Sequence, residues 1–229
     1  FDPNNESAND SGTITAENND IFILKLNEFG NFNTLFQLKH ISDFGRVELE
    51  TINTDKNNNI YIAAEFIGSI DVNPNPTTDT ILTSTAINVD YFLLKLDSEG
   101  VFSHVRQIKT SSILNGFDLA IDASDNVYGI INFVLGEVEL DTDHKFTTGN
   151  VSSVLFKQNT AGNIIWATRT SESTSSESIG INSEQNRLYI AGYFQGTTDF
   201  NLASGDEQVF ELSSASGEFD GFIQTLDLE

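Results

Sequence analysis

The chain has 229 residues, and 34 acidic side chains against 11 Lys and Arg give it a formal charge of −23. It contains no Met and no Cys. The absence of Cys excludes disulfide scaffolds, thiol nucleophiles and Cys-ligated metal centres. A charge of this sign disfavours nucleic acid and anionic lipid as partners, because both need a cationic surface. The 38% hydrophobic share suffices for a folded core, while the longest apolar stretch, 127–135, is too short for membrane insertion.

A first sequence block recurs along the chain, with starts near residues 20, 90, 152 and 220. Its fullest copies are Asp20-Ile-Phe-Ile-Leu-Lys25-Leu-Asn-Glu-Phe-Gly30 and Asp90-Tyr-Phe-Leu-Leu-Lys95-Leu-Asp-Ser-Glu-Gly100. Successive starts are 62 to 70 residues apart, and a period of this size indicates repeated structural units. We therefore interpret 1–229 as a single region of repeats, with partial units at both ends.

A second block recurs between the copies of the first, at 52–68, 121–136 and 181–196. Each copy has an Asx-rich start, a Tyr, and a Phe shortly before a closing Gly. Short apolar runs and β-branched residues dominate both blocks, and no segment has a sustained apolar period of 3.6 residues. The sequence thus predicts an all-β protein essentially without helix.

Each unit is predicted to contain four short strands, ordered from an inner to an outer position. Unbroken apolar runs such as 21–24 and 92–94 indicate strands that are covered on both faces. The predicted inner strands are 46–54, 117–122 and 176–182, the second strands 59–68, 126–135 and 187–194, the third strands 20–26, 90–97, 153–158 and 220–226, and the outer strands 31–39, 101–109 and 163–170.

Four-stranded antiparallel sheets that cover one another are typical of propeller blades. The predicted fold is therefore a β-propeller with two complete and two partial blades, so that the chain covers only part of a ring. A ring needs at least about four blades. Either the chain is a fragment of a larger propeller, which we favour, or copies of it associate and complete the ring between them.

The two blocks also resemble a known family. The patterns Asp-x-Phe-x-x-Lys-Leu-Asp-x-x-Gly and Asx-x-x-x-Asn-x-Tyr-x-x-Gly-x-Phe-x-Gly are similar to the bacterial SBBP-type β-propeller repeats, over nearly the whole chain. The stretches 1–4, 70–75 and 199–201 resemble an Asp-Phe-Asp-Pro variant of secreted or cell-surface proteins from Bacteroidetes-like bacteria. Ser152 in place of Asp and Thr225 in place of Lys are departures that indicate drifted units. The resemblance implies a β-propeller fold and a secreted or cell-surface location, but it does not imply an activity.

One segment, Asn53-x-Asp55-x-Asn57-x-Asn59, spaces its oxygen atoms as a calcium-binding loop does. It lacks the Gly and the bidentate Glu of an EF-hand, and the corresponding turns 122–126 and 182–186 are expected to differ from it in length. An Asx-rich hairpin turn is therefore the preferred interpretation, with calcium as the alternative. No other cofactor is predicted.

Residue types that recur at one position of each unit are expected to be structural. The lysines should bury their stems and pair with carboxylates of neighbouring strands, and the aromatic residues should pack in the core or between units. These residues are Lys25, Lys95 and Lys157, then Tyr61, Tyr128 and Tyr189, together with Tyr91 and a half-buried Trp166. The long connections 69–89 and 197–219 are expected to be variable surface loops that bind a ligand or carry decoration.

Two groups of residues are catalytic candidates, and neither is assigned a role. The carboxylates of the predicted inner strands could serve glycoside cleavage if a pair lay at the right separation; they are Glu48, Glu50, Asp118 and Glu177. The histidines are not in metal-ligand spacing and are expected at the surface; they are His40, His104 and His144. No catalytic, cofactor-binding or metal residue is therefore predicted.

The predicted function is that of a non-enzymatic extracellular propeller module for adhesion, structural display or ligand binding. Its expected partners are a protein or a glycan, or further units that complete the ring. The alternative is a polysaccharide-active enzyme, a glycoside hydrolase or a lyase, that uses the inner-strand carboxylates. A third hypothesis is a protein scaffold that pairs a partner strand at an open sheet edge.

Overall fold

The computed structural model describes residues 15–16, 19–85, 88–184, 186–202 and 209–228. Within these ranges the chain forms strands and no helix, which confirms the prediction of an all-β protein. The strands are β1 (Ile21–Leu26), β2 (Phe32–His40), β3 (Arg46–Thr54), β4 (Ile60–Ile67), β5 (Ser69–Asp71), β6 (Ile81–Thr83), β7 (Asp90–Leu96), β8 (Phe102–Thr110), β9 (Ile113–Ile121), β10 (Val127–Glu139), β11 (Lys145–Gln158), β12 (Ile164–Arg169), β13 (Thr174–Asn182), β14 (Arg187–Gln195), β15 (Thr197–Asp199), β16 (Glu211–Ser213) and β17 (Phe219–Asp227). The strands expected from the sequence are all present, although β9, β10 and β11 are longer than predicted.

Apart from the short strands β5, β6, β15 and β16, the described strands pair antiparallel in four groups that follow the chain. Sheet 1 is β1–β2, sheet 2 has the order β3-β4-β7-β8, sheet 3 has the order β9-β10-β11-β12, and sheet 4 has the order β13-β14-β17. The far end of β10 also pairs with the end of β8, so sheets 2 and 3 form one continuous hydrogen-bonded sheet.

The core lies between consecutive sheets, in three apolar clusters. Successive side chains of a strand point to opposite faces, so a central strand can contribute to two clusters. On β7, Phe92 and Leu94 pack against sheet 1, whereas Tyr91 and Leu93 pack against sheet 3. The unbroken apolar run 92–94 therefore belongs to a strand that is buried on both faces. In the run 21–24 the described residues bury Ile21 and Ile23 but leave Phe22 42% exposed, so the prediction of cover on both faces is wrong for β1.

The leading Asp of the first block fixes the end of an outer strand. Asp20 and Asp90 each accept, at 2.9 Å, the backbone N–H of a residue at that end, His40 and Thr110 respectively. Where Ser152 replaces the Asp, its hydroxyl donates to the backbone carbonyl at the corresponding strand end. The recurrence of this residue has a structural cause, because a buried strand end needs a hydrogen-bond partner.

The connections 69–89 and 197–219 are not irregular throughout, as the word loop would imply, although many of their described residues are exposed. They contain the hairpins β5–β6 and β15–β16, and the extended ends of β10 and β11 form a third hairpin. Strand β5 pairs with the end of β2, and the side chains of Ile70 and Val72 are buried. Apolar residues among the Asn, Pro and Thr account for this ordered packing. Residues 86–87 and 203–208 of these connections, like the stretch 1–4, lie outside the described residues.

Candidate functional site

A polar cavity of about 240 Å³ lies where the predicted inner strands meet. Glu50 of β3, Asp118 of β9 and Glu177 of β13 line it, so three successive sheets contribute one carboxylate each. Gly116 and Asn132 are among the other residues that line it. The structure thus brings together three of the four carboxylates that the sequence placed on inner strands.

Two of these carboxylates sit on β-bulges. The register of β3 against β4 skips Glu50, and the register of β13 against β14 skips Glu177. A bulge turns the extra side chain away from the regular alternation and often lies beside a functional site. This feature was missed at the level of sequence, because nothing in the local residue pattern signals which position of a strand is unpaired.

Hydrogen bonds between β3, β9 and β13 fix the shape of the cavity. Asn53 donates its side-chain N–H to the carbonyl of Leu119 at 3.0 Å, which joins β3 to β9. Asp118 accepts the backbone N–H of Ile179 at 3.0 Å, which joins β9 to β13. One cavity carboxylate, that of Asp118, is therefore a structural acceptor that joins two sheets.

The carboxylates of the cavity region differ in their electrostatic surroundings. Partial burial and the neighbouring Glu65 raise the pKa of the Glu50 carboxyl above its ordinary value. Burial also raises the pKa of Glu65, against the attraction of Arg46. The hydroxyl of Tyr91 is fully buried near Glu50, and burial raises its pKa as well. Glu50 therefore holds a proton more readily than an isolated glutamate does.

Glu48, the fourth predicted carboxylate, does not line the cavity. Its side chain is exposed and pairs with the guanidinium of Arg46, which also contacts Glu65 at 2.6 Å. Residues 48 and 50 of one strand would share a face in a regular ladder, but the bulge at Glu50 separates them.

A buried polar seam lies behind the cavity and was not predicted. Asn132 Oδ1 accepts the hydroxyl of Ser153 at 2.6 Å and the backbone N–H of Ser176 at 3.2 Å. All three residues are buried, and they connect sheet 3 to sheet 4. Small polar side chains in a strand give no sequence signal for burial, because Ser and Asn are as common in turns.

The segment 53–59 forms an Asx turn, as preferred from the sequence. Asp55 Oδ1 accepts the backbone N–H groups of Asn57 and Asn59, and Asp55 Oδ2 accepts the side-chain N–H of Asn59 at 2.7 Å. Asp122 makes the same bonds in a turn of the same length, which corrects the expectation that this turn differs. Across the described ranges, no group of three or more His, Asp or Glu side chains is arranged to hold a metal ion.

Two of the recurring lysines, Lys95 and Lys157, are buried as predicted, and their ammonium groups lie over tyrosine rings. The ammonium of Lys95 lies 5.0 Å from the ring centre of Tyr61, and that of Lys157 lies 5.1 Å from the ring centre of Tyr128. Lys25 donates to the carbonyl of Ser98 at 2.7 Å, with a carboxylate of the same turn at 3.7 Å. A ring face and a carbonyl can hold a partly buried ammonium as well as an anion does.

The histidines are not simply surface residues. His40 is buried, and its Nε2 lies 2.8 Å from the carbonyl oxygen of Ile67, while His104 and His144 are half-buried. The prediction of exposure was wrong for His40 because this residue ends β2 where the β5 hairpin covers it. Trp166 is half-buried as expected and contacts Tyr128 edge to face.

A second concave surface, of about 350 Å³, lies between β2 and the hairpin β5–β6. Leu35, Lys39 and Ile81 line it, together with the segment 73–76. This segment belongs to a connection from which ligand binding was predicted. The lining of this second concave surface is more apolar than that of the polar cavity, and three sheets do not share it.

Comparison of the chain with models of protein families and with curated proteins finds no match. Among the described residues there is no helix that could cross a membrane.

Proposed function

We propose that the chain is part of a β-propeller and acts as a non-enzymatic extracellular module that binds a protein or glycan ligand. The observation that carries this proposal is the cavity to which three successive inner strands contribute Glu50, Asp118 and Glu177. Inner strands that meet around a shared cavity, with sheets stacked face to face behind them, fit the geometry of propeller blades. The likeness of the two sequence blocks to SBBP-type repeats supports the same fold and a secreted or cell-surface location.

The chemistry of the cavity favours binding over catalysis. Asp118 is engaged with the backbone N–H of Ile179, and Glu177 accepts the hydroxyl of Ser175 at 2.6 Å. Carboxylates held in this way are fixed acceptors, which suit the hydroxyl or amine groups of a ligand.

The second candidate function is a polysaccharide-active enzyme. The raised pKa of Glu50 favours it, because a general acid must keep its proton near the working pH. Glu177 of the same cavity would then be the partner carboxylate.

Glycan arrays and binding to cell surfaces test the proposal. We expect the chain to bind a defined glycan or protein, and we expect the double variant Glu50→Gln with Glu177→Gln to lose that binding. Glu184→Gln is the matched control, since residue 184 is exposed and lies outside the cavity. If the unchanged chain, the double variant and Glu184→Gln bind equally, the cavity is not the binding site.

An assay for reducing ends separates the two functions. Under the binding proposal, no polysaccharide yields new reducing ends above background. Release that Glu50→Gln or Glu177→Gln abolishes, while Glu184→Gln preserves it, would establish the enzyme instead.

A further inference from the structure

The outward face of sheet 4 carries exposed apolar side chains beside polar ones such as Gln195 and Thr225, and no other described sheet packs on it. Ala191 and Tyr193 of β14 lie on this face beside Phe219 and Ile223 of β17. Ile223 is 79% exposed and Phe219 is 60% exposed. The opposite face of the same sheet is buried against sheet 3. Sheet 4 thus has one face in the core and one face that leaves apolar side chains in solvent.

The corresponding faces of the preceding sheets are buried. Ile223 of β17 occupies the same position as Leu93 of β7 and Leu155 of β11. In each case the recurring Tyr of the neighbouring strand pairs with the residue two positions farther along. Leu93 and Leu155 are 1% exposed, against 79% for Ile223. The same apolar position is therefore a packed contact in two sheets and an open surface in the third.

Among the described residues, sheet 1 also has a face that no other sheet covers. Phe22 and Leu26 of β1 are both 42% exposed, whereas Phe92 and Leu96, at the same positions of β7, are completely buried. The other face of β1, which carries Ile23, packs against sheet 2. In sheet 2, the face with Phe92 packs on sheet 1. In sheet 1, the equivalent face with Phe22 is exposed.

These two open faces are the two halves of a contact that the chain already makes three times. Ile23 meets the face of Phe92, Leu93 meets the face of Val154, and Leu155 meets the face of Phe222. In each contact, the face that carries Ile23 or its equivalent in one sheet covers the face that carries Phe92 or its equivalent in the next sheet. A fourth contact of this type needs one Ile223 face and one Phe22 face, and each copy of the chain carries both.

We propose that copies of this chain associate head to tail, with the Ile223 face of one copy packed on the Phe22 face of another. The occupant of each open face is thus a second copy. The contact is heterologous, so repeated association closes a ring or extends a chain of copies. The net charge of −23 opposes the approach of two copies, and salt that screens this charge favours association. The inference concerns surfaces apart from the cavity and does not rest on the binding function.

Sedimentation velocity of the chain over a range of concentrations, in about 0.5 M NaCl to screen the charge, is the first test. We expect the mass to rise with concentration above the 25.2 kDa of one copy. Ile223→Asp and Phe22→Asp should each remain at the mass of one copy, because each lacks one half of the contact. Ile113→Asp is the matched control, since Ile113 is an exposed strand residue outside both faces, and it should associate like the unchanged chain.

Mixing the two blocked variants distinguishes a head-to-tail contact from a symmetric one. Phe22→Asp keeps its Ile223 face and Ile223→Asp keeps its Phe22 face, so an equimolar mixture should form a pair of twice the single-copy mass. Phe219→Asp replaces Ile223→Asp if the latter does not fold by circular dichroism. A chain that stays monomeric at every concentration, a blocked variant that still associates alone, or a mixture that forms no pair would overturn the proposal.

Discussion

At the scale of single residues, Asp90 holds a strand end by accepting several hydrogen bonds in a fully buried position. Oδ1 accepts the backbone N–H of Thr110 at 2.9 Å, and Oδ2 accepts the backbone N–H of Thr85 at 3.0 Å and the side chain of Gln107 at 2.9 Å. Asp90→Ala leaves these donors without a partner, so we expect the free energy of unfolding to fall by about 3 kcal/mol. Urea denaturation measures the change.

The control for this prediction is Asp43→Ala. Asp43 is exposed, and its replacement should leave the free energy of unfolding unchanged within about 0.5 kcal/mol. Similar losses in both variants would show that charge, rather than the hydrogen bonds of Asp90, determines the effect.

His104 is predicted to make stability depend on pH. Burial, Lys95 and Arg106 lower the pKa of its imidazole, and its buried Nε2 has no hydrogen-bond partner. The unfolded chain binds a proton near the ordinary pKa of about 6.5, while the folded chain binds it only at lower pH. The stability that depends on neutral His104 is therefore complete above pH ~6.5 and is lost as the pH falls below it.

The His104→Gln variant isolates this contribution. We expect its free energy of unfolding to vary less than that of the unchanged protein when urea denaturation is repeated at pH values on both sides of ~6.5. Identical pH profiles for the two proteins would contradict the assignment.

At the scale of elements, Gly68 is the point at which β4 ends and the hairpin β5–β6 begins. Its φ is +95°, and a Cβ at this position would lie 2.6 Å from the carbonyl oxygen of Phe44. Gly68→Ala should therefore lower the free energy of unfolding by about 3 kcal/mol, through backbone strain and the displacement of a neighbouring segment. Thermal unfolding followed by circular dichroism measures it.

Gly180→Ala is the matched change in a strand. A Cβ on Gly180 meets no atom within 4 Å. Because Ala restricts the unfolded chain more than Gly does, this variant should be as stable as the unchanged protein or up to about 1 kcal/mol more stable. A loss at Gly180 equal to that at Gly68 would rule out the backbone explanation.

The elements were more predictable than the site. Strands such as β7 follow from their unbroken apolar runs, and turns follow from an Asx residue and a Gly at fixed spacing. The sequence also predicted that Glu50, Asp118 and Glu177 lie on strands, which β3, β9 and β13 confirm. Their meeting in one cavity was not, because it depends on bulges in β3 and β13 and on the packing of three sheets. Such features depend on contacts between residues far apart in the chain.

For the whole molecule, the charge of −23 predicts that salt stabilises the folded state. The folded chain concentrates its negative charges, and about 0.5 M salt shortens the range of their repulsion from tens of ångströms to a few. We expect the midpoint of thermal unfolding to rise steadily from about 0.01 M to about 0.5 M NaCl.

Potassium chloride is the control for this prediction, because screening depends on ionic strength and not on the cation. NaCl and KCl at equal concentration should raise the midpoint equally. A midpoint that falls with salt, or that rises with one cation only, would show that repulsion between surface charges does not limit stability.

The hairpins that follow β4 and β14 have a consequence for protein engineering. In both hairpins the first strand ends at an Asp, which is Asp71 or Asp199. The carboxylate of this Asp accepts the backbone N–H of the second residue after it and the backbone N–H of the residue just before the returning strand. The base of each connection is thus closed independently of the residues farther out. An epitope or a peptide tag grafted beyond this closure should be displayed without disturbing the packed sheets, which makes these hairpins the natural insertion points of the scaffold.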